Sequence, residues 1–300
     1  MTRSDGYLLE QRRTDVHRQN GTHRQAEEHL QAEAPLQAEE HLQAEAPLQA
    51  EAAERLDAFA DLFDPTTFRH LEAVGVGAGW RCWEIGAGGA SVVSWLAKKV
   101  GPTGTVLATA TDVTRLAPAA RPPVEVRAHD IGAEEPPTGG FDLVHARLPL
   151  LGVADRERAV RSMAGALRPR GHLLVEDTDP ALQPLACPDE YGPEQRLANR
   201  LRQDLRKLLH DQGEDLAQGR TLPRLLRETG LSEVRADAHF PIAAPACAAL
   251  ESATVRLARD RLVTAGVATT QDIDHHLAHI ADGILDLATA PMISVWGRKA

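Results

Sequence analysis

Residues 80–91 read Trp-Arg-Cys-Trp-Glu-Ile-Gly-Ala-Gly-Gly-Ala-Ser. A short apolar run with an acid near its end passes straight into a glycine turn. Gly86 and Gly88 let the backbone turn sharply after a strand and let a ligand approach with no Cβ in the way. Val92, Leu96 and Val100 then recur at i, i+4, with Val93 and Ala97 beside them, so a helix follows the turn. Its first N–H groups and the positive end of its dipole face whatever the turn holds. A strand, a glycine turn and a helix start in this order constrain the chain to an α/β layout with a nucleotide-like ligand at the strand's end. A purely structural turn is the alternative, and more of the chain is needed to weigh it.

Strand and helix patterns alternate after this point. Strands are predicted at 80–85, 105–109, 124–128, 141–145 and 172–175, and the helix near 156–167 ends at Arg168-Pro-Arg-Gly171. This βαβ rhythm implies a parallel sheet with helices on both faces. Upstream, Leu56, Phe59, Leu62 and Phe63 share one helical face. Asp64-Pro65 reads as the N-cap and first residue of a second helix, with Phe68, Leu71 and Val74 as its apolar side. Residues 181–217 and 246–288 read as mostly helical. Between them a helix at 221–229, N-capped by Thr221 and closed by Gly230, is followed by a strand near 234–240. The last strand is Met292–Trp296.

Residues 1–52 form a separate segment. A twelve-residue unit, Gln-Ala-Glu-Glu-His-Leu-Gln-Ala-Glu-Ala-Pro-Leu, begins at Gln25 and is repeated from Gln37, with a partial copy from Gln49. Leucines every six residues match neither a helix face nor a heptad, and Pro35 and Pro47 interrupt any long helix. A largely disordered acidic tail is expected, with an arm of short partner-binding helices as the alternative. Division of the chain follows: tail 1–52, α/β core 53–180, helical lid 181–217, core 218–245, helical lid 246–289 and last strand 290–300.

Charge and cysteines narrow the function classes. A net charge of −10 disfavours nucleic acid and anionic membrane as partners. Three scattered cysteines, Cys82, Cys187 and Cys247, make no C-x-x-C pair or metal spacing and fit a reducing, cytoplasmic setting. No metal is expected. His275, His276 and His279 lack the acid of a zincin pattern and read as a solvated helix face. The run Arg196 to Lys207 is interleaved with acids and reads the same way.

Glu84-x-Gly86-x-Gly88-x-Ala90 resembles the first motif of class I S-adenosylmethionine methyltransferases; a dinucleotide G-x-G-x-x-G would need glycine where Ser91 stands. Further stretches carry the resemblance across 53–300. They include Phe63-Asp-Pro-Thr-Thr-Phe-Arg-His-Leu71, Val126-Arg-Ala-His-Asp-Ile131, Phe141-Asp-Leu-Val-His-Ala-Arg147, Leu174-Val-Glu-Asp177, Leu222-Pro-Arg-Leu-Leu226 and Ser294-Val-Trp-Gly-Arg298. More narrowly, the chain resembles small-molecule methyltransferases of actinobacterial secondary metabolism. The resemblance implies an α/β, Rossmann-like class I methyltransferase sheet with helical lid insertions, and S-adenosyl-L-methionine as cofactor.

It also implies site residues. Gly86, Ala87 and Gly88 would pack against the methionine part, with Glu84 either reaching it through a loop amide or holding the loop. Asp130 would accept from the adenine amine, and the backbone of Ile131 would complete that edge; a turn cap is the other reading of Asp130. Ala146 and Arg147 would lie by the aminoacyl group, with Arg147 pairing its carboxylate or standing as a surface cation. The chain departs from the family at Ala110, where the ribose-binding acid is expected. Asp112 is the candidate to replace it. Ala90 stands for a third glycine, and Gly152 for a histidine that relatives often carry.

Methyl transfer from a sulfonium mostly needs alignment and exclusion of water. A hydroxyl acceptor of high pKa also needs a base, and the candidates are His145, Asp177 and Asp179, with His239 behind them; Glu176 is read as a possible structural acid. Tyr191 and Cys187-Pro188 are expected at the pocket mouth. Leu197, Leu201, Leu205 and Leu208, with Leu250, Val255, Leu257 and Leu262, read as packing residues more than substrate contacts. The acceptor is expected to be a small, partly apolar molecule, and a homodimer is expected by analogy. The alternatives are an enzyme that binds S-adenosylmethionine but catalyses a cyclisation or rearrangement, and a non-enzymatic binding protein.

Overall fold

The computed structural model describes residues 48–148, 150 and 152–300. The repeat and the expected disorder of the tail therefore lie, through residue 47, outside the described residues. The chain divides into two units, 1–51 and 52–300; the second holds all that follows. A first helix, α1, is already under way at residue 52 and ends at 73. It does not break at Asp64-Pro65. Pro65 lacks an N–H, so the carbonyl of Asp61 loses its i+4 donor, a cost of roughly 3 kcal/mol in a helix interior. Packing carries the helix through: Phe59, Leu62, Phe63 and Leu71 are all buried, and the Asp64 carboxylate serves a tertiary ion pair instead of a cap.

The strands are β1 (Arg81–Ile85), β2 (Thr105–Ala110), β3 (Val124–Ala128), β4 (Phe141–Arg147), β5 (Leu167–Thr178), β6 (Ser232–His239) and β7 (Met292–Arg298). They form one sheet in the order β3-β2-β1-β4-β5-β7-β6. β1 to β5 pair in parallel, and β7 inserts antiparallel between β5 and β6. β4 and β5 run past their expected ends, which carries Arg147 and Asp177 into the sheet itself.

Side chains alternate between the two faces, as the pleat requires. Trp83, Ile85, Val144, Ala146, Leu173 and Val175 join one core with α3 (Arg156–Ala166) and α5 (Leu222–Glu228). Cys82, Val106, Leu143 and Leu174 join the other with α1 and α2 (Ser91–Val100). Helices thus cover both faces near β1, β4 and β5. The links from β2 to β3 and from β3 to β4 contain no α-helix, so the β3 edge is thinly covered, and β3 itself is mostly exposed or half-buried.

The helical layer over the strand ends consists of α4 (Pro193–Asp211), α6 (Pro245–Thr264) and α7 (Thr270–Ala281). Residues 179–192 are irregular, because Pro180, Pro184 and Pro188 deny the backbone its donors there. Thr221 does not cap α5; its Oγ1 donates to the carbonyl of Gln218. Among the described residues no helix is long and apolar enough to cross a membrane.

Candidate active site

The glycine turn is held from below. The N–H groups of Gly86 and Ala87 both donate to the carbonyl of Thr109 on β2, at 2.8 and 3.2 Å. Gly86 sits at φ 69°, a region that only glycine enters freely. A Cβ on Gly88 would meet Leu56 Cδ2 of α1 at 3.0 Å, so the turn stays bare and α1 leans over it. α2 begins immediately beyond, at Ser91, with no side chain capping its N-terminus. A bare turn and an uncapped helix start fit the aminoacyl end of S-adenosyl-L-methionine.

The nucleoside end fits less fully. β2 ends in Ala110, which offers no acceptor. Asp112 is exposed and turned onto Thr114, accepting its N–H at 2.9 Å and its hydroxyl at 2.6 Å. Asp130 accepts from the N–H of Gly132 at 2.7 Å in a turn of its own, which leaves its second oxygen for a ligand. Ile131 is buried in the core beside it.

The expected role of His145 is corrected by its surroundings. Alternation along β4 points it under α1, where it is fully buried. Its Nδ1 meets Glu84 Oε2 at 2.6 Å and its Nε2 meets Glu176 Oε2 at 3.4 Å. Burial alone would lower its pKa, but these two carboxylates prevail and raise it to about 9, so the ring is an imidazolium with no solvent-facing atom. The row continues across the sheet. Glu176 accepts from Thr67 Oγ1 at 2.5 Å and Ser294 Oγ at 2.7 Å, and faces His70 Nδ1 at 3.3 Å. His70 reaches Asp237 at 3.0 Å. Burial pushes Glu176 up, yet its bonds to His145 and His70 win and hold it well below the usual carboxylate range. Glu84 is therefore spent on His145, not on a loop amide.

Arg147 is likewise engaged. It pairs with Asp64 at 2.6 Å, approaches Thr67 Oγ1 at 3.3 Å and lies over the Phe59 ring. Asp179 is fully buried and takes both the Nε and an Nη of Arg220, at 2.7 and 2.6 Å, with a further bond from Arg220 N–H. It anchors the turn before α5. Ala146 is buried in the core and contributes only its backbone to the cleft.

Asp177 is different. It is fully buried, and its Oδ1 accepts from Thr178 N–H at 2.9 Å and Gln218 Nε2 at 3.0 Å. Its Oδ2 has no partner. Burial pushes its pKa up to about 7. It lines a cavity of about 190 Å³ walled by Phe59 and Phe63 of α1, Leu201 and Leu205 of α4, Leu250 and Val255 of α6, and Leu148. Leu148, just past β4, adopts φ 56°, a conformation that costs a branched residue energy and gathers at functional sites. The helical leucines are thus pocket walls as well as core.

Two expectations about the lid are corrected. Tyr191 is 71% exposed, and Cys187 is buried with its N–H bonded to Asn199; neither borders the cavity. His276 is not on a solvated face. It is fully buried, 3.4 Å from Glu251. Among the described residues no cluster could hold a metal ion. His239 packs edge-on against Phe63. Arg55, which also lines the cavity, was not predicted, and Arg202 and Arg206 line it too although their run reads as a solvated face. Arg55 reaches its partner Thr254 across 199 positions of sequence, and no local pattern announces such a contact.

Residues 83–175 match the family model described as a methyltransferase domain, Methyltransf_11. No curated protein matches the chain. Solved structures with similar architecture include phosphoethanolamine N-methyltransferase 2 of Haemonchus contortus, at 13% identity and TM-score 0.49 over 78% of this chain and 52% of that one. The chain thus spans about half that protein's length. An S-adenosylmethionine-dependent methyltransferase from Mesorhizobium loti is 18% identical, with TM-score 0.44 over 77% and 96%. The [4+2]-cyclase SpnF is 14% identical, with TM-score 0.43 over 77% and 80%. At these identities none of them assigns a reaction or substrate to this chain. A seven-stranded sheet in the order β3-β2-β1-β4-β5-β7-β6, with β7 antiparallel and the matched domain running from β1 into β5, is the Rossmann-like class I methyltransferase fold.

Proposed function

We propose that this protein transfers a methyl group from S-adenosyl-L-methionine to a small-molecule acceptor with an apolar body, in the cavity beside Asp177. The observation that carries this reading is the Asp177 carboxyl: the one acid at the end of β5 that lines a cavity and keeps a free oxygen. The bound cofactor supplies an electrophilic methyl on a sulfonium. Gly86, Ala87, Gly88 and the start of α2 would hold its aminoacyl end, and Asp130 would hold its nucleoside. Phe59, Phe63, Leu148 and Leu205 exclude water and orient the acceptor. Asp177 Oδ2 receives the acceptor's hydroxyl proton, and its pKa near 7 suits a base at neutral pH. Thr178 and Gln218 hold Oδ1 and leave Oδ2 without a partner.

Calorimetric titration with S-adenosylmethionine and with S-adenosylhomocysteine tests the reading. Micromolar binding, weakened at least tenfold by Asp130→Ala, is expected; no binding by the unaltered protein would sink it. Ala110 and the engagement of exposed Asp112 by Thr114 favour a second reading, in which the cofactor binds but the methyl stays. Saturable binding without methyl transfer to any acceptor in a screen would select it. A tenfold loss in Asp112→Ala would show that this acid swings to the ribose.

A further inference from the structure

Charge in the cavity runs against that of the whole chain. The protein carries a net −10, yet Arg55, Arg202 and Arg206 line the cavity with only Asp177 and Glu251 to oppose them. Arg202 and Glu251 are an ion pair, with Glu251 also facing His276. Arg55 and Arg206 make no ion pair among the described residues. Arg55 has one weak contact, Nε to Thr254 Oγ1 at 3.3 Å. Arg206 has a buried Nε with no partner. Burial pulls down the pKa of both guanidinium groups. Both side chains are half-buried, and cations partly withdrawn from water into an apolar cavity are normally paired by the fold. Here the missing partner has room to arrive as a ligand.

From the unpartnered guanidinium groups of Arg55 and Arg206 in an apolar cavity, we infer that the acceptor carries an anionic group, a carboxylate or phosphate, which these two residues grip while its apolar body fills the space between. The inference rests on the proposed function and deepens it. Arg206 also borders an outer depression beside Lys207 and His210, so the anionic end lies toward the surface on the α4 side. Asp177 marks the other, inner end. An acceptor held at its charged end by arginine forks presents a distal hydroxyl to Asp177 Oδ2. Guanidinium forks match the planar carboxylate geometry, so Lys replaces Arg there only in part.

The test uses 2-naphthylacetate and its amide as probes, titrated calorimetrically into the full chain, with S-adenosylhomocysteine titrated into the same samples. The carboxylate is expected to bind at least tenfold tighter than the amide. That preference should fall to near one in Arg55→Gln/Arg206→Gln and return in part in Arg206→Lys, with S-adenosylhomocysteine affinity unchanged. Equal binding of the two probes, binding of neither, or a preference that survives in the double variant would overturn the inference. A preference abolished by saturating S-adenosylhomocysteine would also overturn it, since the arginines would then belong to the cofactor's own carboxylate. Failure of S-adenosylhomocysteine to bind while the carboxylate preference stands would remove the methyl-transfer reading and leave the anion site.

Discussion

Buried acids lie on both faces of the same sheet, two of them under α1 and one on the opposite side. Under α1, Glu84 and Glu176 are buried and wholly answered: His145 stands between them, and Thr67, Ser294 and His70 complete the row. On the other face, Asp177 is just as buried but half answered, with one oxygen lacking a partner in a residue that lines a cavity. Neighbours Glu176 and Asp177 share strand, burial and charge, yet one pKa is held far down and the other rises to about 7. Burial alone therefore does not make an acid reactive; what decides is whether the fold has supplied its partners. The paired row builds the structure, and the unpaired carboxyl is left for chemistry.

The strongest challenge to this contrast is His145→Gln. Removing the cation strips Glu84 of its partner and Glu176 of one of its four, and the fold should lose about 3–5 kcal/mol, read as a large fall in Tm. A variant as stable as the parent would mean the row is not structural. Asp177→Asn should behave in the opposite way. Methyl transfer should fall about 10²–10⁴-fold while the fold stays intact. An acid whose pKa is raised on folding costs stability as pH climbs from its unfolded value near 4 to about 7. The Asn variant escapes that cost, so its Tm should exceed the parent's by more at pH 8 than at pH 5. A parallel shift at both values would place the ionisation elsewhere.

Ser294→Ala sharpens the picture on the paired side. It takes one hydrogen bond from Glu176 and should cost about 1.5–3 kcal/mol, measurable by urea unfolding, without changing cofactor affinity. A subtler effect comes from pH alone. The His145 imidazolium has its pKa raised by folding, so its contribution is complete below about 6.5 and is lost as pH rises through about 9. Stability should decline across that window by about 1–3 kcal/mol, and a flat profile would separate His145 from its carboxylates.

Most of the sheet was legible because β1, β2, β4 and the second half of β5 are apolar runs beside glycine or proline signals. β3 also spans the residues its pattern marks. What failed to show was direction. His145, Asp177 and Asp179 all lie at or just past the expected strand ends, and the linear pattern does not say what packs on the face that each one takes. Once β4 extends to Arg147, parity puts His145 under α1. The complementary signal was present in the text of the chain: a histidine at one strand end with acids at the ends of both neighbours. Pro65 misled for another reason, since local propensity yields to the packing of Phe59, Phe63 and Leu71.

That uninterrupted α1 has a mechanical consequence. Its C-terminal turns are pinned to the sheet through Thr67, His70 and Leu71. Its N-terminal turns put Leu56 against Gly88 and Arg55, Phe59 and Phe63 into the cavity. Pro65, with one backbone bond missing, is the softest point between the two arms. A helical arm moves as a piece, so displacing Leu56 from the glycine turn also carries Arg55 and Phe59 with it. One helical arm thus roofs the glycine turn with Leu56 and walls the cavity with Arg55, Phe59 and Phe63, so the two places share a single rigid support.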